Sequence, residues 1–154
     1  MGLVKLENRD IKNTIRDAIP SALEIAHVGS RVTCNPAPTD TDNDFLVFIS
    51  GNFSDAEDKK LKDSGFVLGG SVFRSDIKNT TGNYEYFFWS YTKGDLNIIV
   101  IDSYEFYTKF LYATELSKNL NLLNKGDRIA LFQYVLYGNI VKATNEVNYV
   151  SSIK

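Results

Sequence analysis

Two short pieces of sequence that lie close together in the chain decide the fold. The first is Gly29-Ser30-Arg31, and the second, after a spacer, is Asp42-Asn43-Asp44-Phe45-Leu46-Val47-Phe48-Ile49. The run from Phe45 to Ile49 is continuously apolar and of strand length, which is typical of a central strand buried on both faces. Because side chains two apart on a strand point to the same face, Asp42 and Asp44 can present two carboxylates side by side.

The residue types around this strand favour a phosphate and a hard cation. Two close carboxylates repel each other unless a cation lies between them. Magnesium prefers a few carboxylates, several waters and phosphate oxygens. Upstream, Gly29 allows the backbone to approach a phosphate closely. Ser30 can donate a hydrogen bond to this phosphate, and the charged guanidinium of Arg31 can bind it as well.

The rest of the chain predicts a mixed architecture. Pro36 and Pro38 limit any helix after Ser30 to about one turn. The segment from Ala22 to Val28 is a short strand or the end of a helix. Periodicity and turn residues predict the other elements: helices from Asn8 or Asp10 to Ile19, Asp55 to Asp63 (capped by Ser54), Glu105 to Asn119 and Asp127 to Tyr137; strands Phe66 to Phe73, Tyr84 to Tyr91 and Leu96 to Ile101; and hairpin turns at 80–83 and 92–94. We therefore expect a single α+β domain over residues 1–154, with helices packed on a mixed sheet.

Composition excludes several classes of protein. The chain has 154 residues, a formal net charge of −2 and one cysteine, Cys34. It therefore has no internal disulfide and no Cys-rich zinc site, and a strongly basic nucleic-acid surface is not expected. No secretory signal or membrane-spanning run is visible, so the expected location is the cytoplasm.

The Gly-Ser pair, the spacer and the Asp-x-Asp that opens an apolar strand resemble the signature of the DNA polymerase beta-like nucleotidyltransferase superfamily. The nearest-looking members are minimal nucleotidyltransferases and small phage-encoded proteins. The resemblance implies a nucleotidyltransferase-like mixed sheet and a magnesium-dependent transfer of a nucleoside monophosphate from a nucleoside triphosphate (NTP), with manganese as a substitute metal. Gly29, Ser30 and Arg31 would hold the triphosphate, and Asp42 and Asp44 would bind metal and act in catalysis.

The resemblance also implies a third metal-binding, catalytic carboxylate on a neighbouring strand. Asp95 is the preferred candidate because this acid usually opens such a strand. Asn97 lies where some members place the acid, and Asp102 lies at the far end of the strand. If Asn97 is the equivalent residue, the metal site is weakened and the protein binds nucleotide without fast turnover.

Several alternatives stay open. The acceptor is a protein hydroxyl, an RNA end or a small molecule, and a protein partner or a second subunit could help to bind it. A catalytically inert nucleotidyltransferase fold could instead bind nucleotide or a host protein, and a generic α+β interaction domain would leave Asp42 and Asp44 in solvent. Other residues have an ordinary structural interpretation beside a functional one: His27, Cys34, the aromatic strand around Trp89, and the cations Lys118, Lys125 and Arg128.

Overall fold

The computed structural model describes residues 8–39, 41–51, 53–69, 72–73 and 86–137. In chain order its elements are α1 (Asn8–Ala18), β1 (Ala22–Val28), α2 (Ser30–Thr33), β2 (Asn43–Ile49), α3 (Asp55–Asp63), β3 (Val67–Leu68), β4 (Val72–Phe73), β5 (Tyr86–Lys93), β6 (Leu96–Ile101), α4 (Tyr104–Leu120) and α5 (Lys125–Tyr137). The α+β class predicted from the sequence is confirmed. The predicted turn at 80–83 and the beginning of the predicted strand at Tyr84 lie outside the described residues.

The sheet is mixed and β2 lies in its interior. Its strand order is β1-β2-β6-β5-β3, and β4 also pairs with β5. Strand β2 is antiparallel to β1 and parallel to β6, while β5 is antiparallel to β6. The segment from Ala22 to Val28, for which the sequence left two interpretations open, is a strand. The predicted single strand from Phe66 to Phe73 is instead two short strands, which pair with different parts of β5.

Two hydrophobic clusters lie on opposite faces of the sheet, because alternate side chains of a strand point to opposite faces. Leu46 of β2 belongs to a cluster with residues of α4 and α5, such as Phe110 and Phe132. Phe45 and its alternate neighbours Val47 and Ile49 belong to a cluster with residues of α1 and α3. Strand β2 is therefore buried on both faces, as its apolar run predicts.

Local signals fix the ends of the helices. The Ser54 hydroxyl accepts a hydrogen bond from the Glu57 amide, and the Glu57 carboxylate accepts one from the Ser54 amide, which forms a capping box at the start of α3. Ser103 caps α4 in a similar way through the Phe106 amide, at 3.1 Å. Helix α2 is only four residues long, in keeping with the limit set by the two prolines that follow it. In the described part of the chain, no helix is both long enough and apolar enough to cross a membrane.

Candidate functional site

The turn after β1 and the start of β2 meet at Gly29 and Asp44. Gly29 has a φ of 85°, a conformation that L side chains rarely adopt. A Cβ atom on Gly29 would overlap the carboxylate of Asp44, so only glycine leaves room for this contact. The structure thus brings together the two sequence pieces on which the resemblance depends.

Asp44 is buried and hydrogen-bonded across the sheet. Its exposed fraction is 1%, and that of Asn97 is 6%. The register of the parallel β2–β6 pair sets Asp44 beside Asn97. The Nδ2 atom of Asn97 donates to Oδ1 of Asp44 at 3.0 Å. Asp44 does not point into solvent, in contrast to what the generic-domain alternative expects.

The orientation of the Asn97 amide is fixed from the other side. Ser90 of β5 donates through its hydroxyl to Oδ1 of Asn97 at 3.0 Å. An amide oxygen that accepts this bond leaves the NH₂ group to face Asp44. Ser90, Asn97 and Asp44, on three adjacent strands, therefore form one hydrogen-bonded series, which we call the polar relay. Sequence reasoning did not select Ser90, because a serine in an aromatic strand carries no signal of its own.

Asp95 lies at the same edge of the sheet but is engaged by Arg31. Nη2 of Arg31 donates to Oδ2 of Asp95 at 3.1 Å, and the Asp95 side chain is 62% exposed. The backbone oxygen of Asp95 accepts from the Asn43 amide at 2.6 Å, which ties Asp95 to the Asp42–Asp44 segment. Asp95, the candidate third acid, thus lies near the Asp42–Asp44 segment, but its carboxylate forms an ion pair with Arg31, which is predicted to bind the triphosphate.

Arg31 and Ser30 are held by the spacer. Arg31 also donates to the backbone oxygens of Thr41, at 2.5 Å, and Thr39, at 3.4 Å. The Ser30 hydroxyl lies 3.3 Å from that of Thr41. The side chains of Ser30 and Arg31, both predicted to bind the triphosphate, therefore converge on Thr41. The next residue, Asp42, is half-buried and makes contacts of its own.

His27 lies beside the site on the face of the sheet that α1 covers. Its Nε2 lies 2.6 Å from Oδ1 of Asn43, its Nδ1 lies 3.1 Å from Nδ2 of Asn8, and its ring stacks on Phe45. Burial is the main cause that lowers the pKa of His27; the bond to Asn43 opposes this, and the cations Lys12 and Arg31 add to it. A neutral imidazole that donates to Asn43 and accepts from Asn8 satisfies both contacts. The structural interpretation of this histidine therefore accounts for both of its nitrogens.

The other functional candidates of the sequence have structural contacts too. Arg128 donates to the backbone oxygens of Leu122 and Leu123, at 2.9 and 2.8 Å, and contacts Cys34, so it joins α5 to the end of α2. In the aromatic strand β5, Tyr91 is fully buried and Trp89 packs against Phe53. Both rings belong to the core, as the ordinary interpretation expects.

The metal set implied by the resemblance can be tested against these contacts. Within the residues that the structure describes, no three His, Cys, Asp or Glu side chains converge to hold a metal ion. The position beside Asp44 carries an amide donor, which a cation cannot use as a ligand through its nitrogen. As the described residues are placed, Asp42, Asp44 and Asp95 do not form a cluster of three carboxylates.

Comparisons with known proteins give one structural similarity and no family for this chain. No protein-family model matches the chain. No curated protein matches it either. Among solved structures it is similar to one described as "Structural Basis for the Activity of a Cytoplasmic RNA Terminal U-transferase", with a TM-score of 0.42 and 14% identity. The similarity covers 83% of this chain and 39% of that one, so the chain spans about two fifths of that protein's length.

Proposed function

We propose that this chain is a nucleotidyltransferase-type protein that binds a nucleoside triphosphate with one magnesium ion and transfers the nucleotide slowly or not at all. Gly29, Ser30 and Arg31 bind the triphosphate, and Asp42 and Asp44 take the cation, for which manganese can substitute. Asp95 supplies a further carboxylate at the same edge of the sheet.

The observation that carries the proposal is the contact between Gly29 and Asp44. Gly29 has a positive φ and packs against the buried carboxylate of Asp44, at the beginning of the central strand β2. It therefore joins the turn proposed to bind phosphate to the strand proposed to bind the cation. A solvated acidic turn, the ordinary explanation of an Asp-x-Asp sequence, would need neither the glycine nor the burial.

The choice of binding over fast transfer rests on Asn97. Its amide donates to Asp44 where a third acid would strengthen a second metal site. An amide neither takes a proton from a nucleophile nor adds negative charge for a second cation. The residues around Asp44 therefore support the binding of a nucleotide donor more than its transfer.

A second candidate is an active transferase, and Asp95 favours it. Its backbone is hydrogen-bonded to Asn43 between the two acids, and its exposed side chain is free to rotate except for the bond to Arg31. A triphosphate that draws Arg31 away would release this carboxylate. In either case the acceptor, whether protein, RNA end or small molecule, and any protein partner or second subunit stay predictions from the sequence.

Calorimetry with non-hydrolysable triphosphates of the four bases, each with magnesium or manganese, tests the proposal. We expect saturable binding of at least one, weakened about tenfold or more by Arg31→Met because a charge-assisted contact to phosphate is lost. The matched control is Arg16→Met, on the exposed surface of α1, which should bind as the wild type does. Absence of binding for all four triphosphates with both metals contradicts the proposal.

Pyrophosphate release from hydrolysable triphosphates separates the two candidates. The proposed binding protein gives binding with release that is slow or absent, and unchanged in Asp95→Asn, across protein, RNA and small-molecule acceptors. Release that is lost in Asp95→Asn, with binding retained, identifies the active transferase.

A further inference from the structure

A cavity lies away from the proposed nucleotide site, between α1, α3 and the turn that joins β5 to β6. Its volume is about 520 Å³, within the usual range for small-molecule pockets. It includes none of Gly29, Ser30, Arg31, Asp42, Asp44, Asp95 or Asn97. We call it the lysine pocket, after Lys60 and Lys93 in its lining.

The floor of the lysine pocket is apolar and rigid. Ile15, Leu61, Phe66 and Ile98 line it, and their exposed fractions run from 0 to 7%. These residues come from α1, α3, the segment after α3, and β6, and they belong to one hydrophobic cluster. An apolar ligand body placed here would cover core side chains whose positions are already set.

Two ammonium groups at the rim donate to backbone oxygens. Nζ of Lys60 donates to the backbone oxygen of Asp17 at 2.6 Å, and Nζ of Lys93 donates to that of Ser64 at 2.7 Å. Lys93 also lies over the Phe66 ring, 5.7 Å from its centre. Within the described residues, neither lysine has a carboxylate at ion-pair distance. The neighbouring lysines of α3 differ, since Lys59 pairs with Asp63 and Lys62 pairs with Asp58.

We propose that the lysine pocket binds a small amphipathic carboxylate, such as a medium-chain fatty acid. The apolar chain lies on the floor, and the carboxylate accepts from Lys60 and Lys93, each of which keeps a backbone bond as well. Asp17 also lines the pocket, and its negative charge near a bound anion limits the affinity. This site is independent of the nucleotide site, and either proposal can fail without the other.

Titration with decanoate below its micelle concentration tests the inference, with methyl NMR shifts of Ile15 and Ile98 as the readout. We expect saturable decanoate binding, weaker binding of decanol, which lacks the charge, and none of acetate, which lacks the apolar chain. Lys60→Gln or Lys93→Gln should each weaken decanoate binding about three- to fivefold, as for exposed ion pairs. Lys59→Gln, on the same helix but paired with Asp63, should leave it unchanged, and Asp17→Asn should tighten it.

A blocking variant guards against effects on stability. Thr14 is exposed at the rim, so Thr14→Trp should cover the opening and abolish binding without disturbing the core. Asn13→Trp, an exposed neighbour outside the lining, is its matched control. Equal binding of decanoate and decanol, or binding that Thr14→Trp leaves unchanged, overturns the inference.

Discussion

Asn97 stands beside Asp44 across two parallel strands, and a hydrogen bond of 3.0 Å joins its amide nitrogen to the carboxylate. A neutral donor thus compensates a buried negative charge that a cation or a basic side chain would otherwise have to balance. The start of β2 can consequently be stable with the nucleotide absent. Gly29 and Asn97 lie on either side of this carboxylate.

Gly29→Ala should destabilise the protein more than Gly51→Ala. Both glycines have positive φ, 85° and 94°, so both changes carry backbone strain of about 1–3 kcal/mol. Only at position 29 does the added Cβ overlap Asp44; nothing lies within 4 Å at Gly51. Urea unfolding of the two variants measures the difference, and equal losses would show that the contact with Asp44 is not tight.

Asn97→Asp should make the stability of the protein depend on divalent cations. Without metal, two carboxylates face each other in a buried position and the free energy of unfolding falls by about 1–3 kcal/mol. Magnesium or manganese, added without nucleotide, should raise the melting temperature of this variant more than that of the wild type. Asn97→Ser removes the amide without adding charge, so a metal response in that control would assign the effect elsewhere.

Glu57 should contribute a pH-dependent part of the stability. Burial by itself raises the pKa of its carboxyl group, but hydrogen bonds donated by Ser21 and Ser54 outweigh it and hold the pKa below its ordinary value. A lowered pKa in the folded state gives stability that is fully present above the unfolded pKa of about 4.3 and is lost as the pH falls through the folded pKa.

The variant Glu57→Gln measures this contribution. The difference in unfolding free energy between wild type and variant should be constant above about pH 5 and shrink at lower pH. A difference that does not change with pH would mean that Glu57 acts through hydrogen-bond geometry alone. Asp55→Asn, in the exposed first turn of the same helix, is the control.

His27 should titrate below the ordinary histidine value. The chain has one histidine, so its imidazole NMR signals can be followed without assignment. Burial lowers the pKa of His27, and the unfolded chain therefore binds this proton more readily. Stability from this group is fully present above about pH 6.5 and is lost as the pH falls below it. A midpoint at or above that value would contradict the contacts described for the ring.

The sequence predicted most of this fold because its strong signals are local. The apolar run from Phe45 to Ile49, the cap at Ser54 and the glycines after the strands each act within a few residues. The division of Phe66 to Phe73 into two short strands was not predictable, since it depends on how β5 pairs with each half. The choice between strand and helix for Ala22 to Val28 likewise depended on its partner, β2.

The candidate site was predictable in its members more than in their contacts. The motif identified Gly29 and Asp44, which the fold brings together. The partners of Arg31 and the choice of Asn97 as neighbour of Asp44 follow from the β2–β6 register, which no local pattern encodes. Asp95 directly precedes β6, yet its carboxylate pairs with Arg31, whose long side chain reaches this edge of the sheet.

The polar relay has a consequence for how the chain finds its native strand pairing. If β6 slipped by one residue along β2, Asp44 would lie beside Leu96 or Ile98 and would lose the hydrogen bond from Asn97. The slip would also turn the side chains of β6 to the opposite face of the sheet, so its apolar side chains would leave the clusters in which they pack. The hydrogen bonds that join Ser90, Asn97 and Asp44 therefore favour the native register of the central strands, whether or not nucleotide is bound.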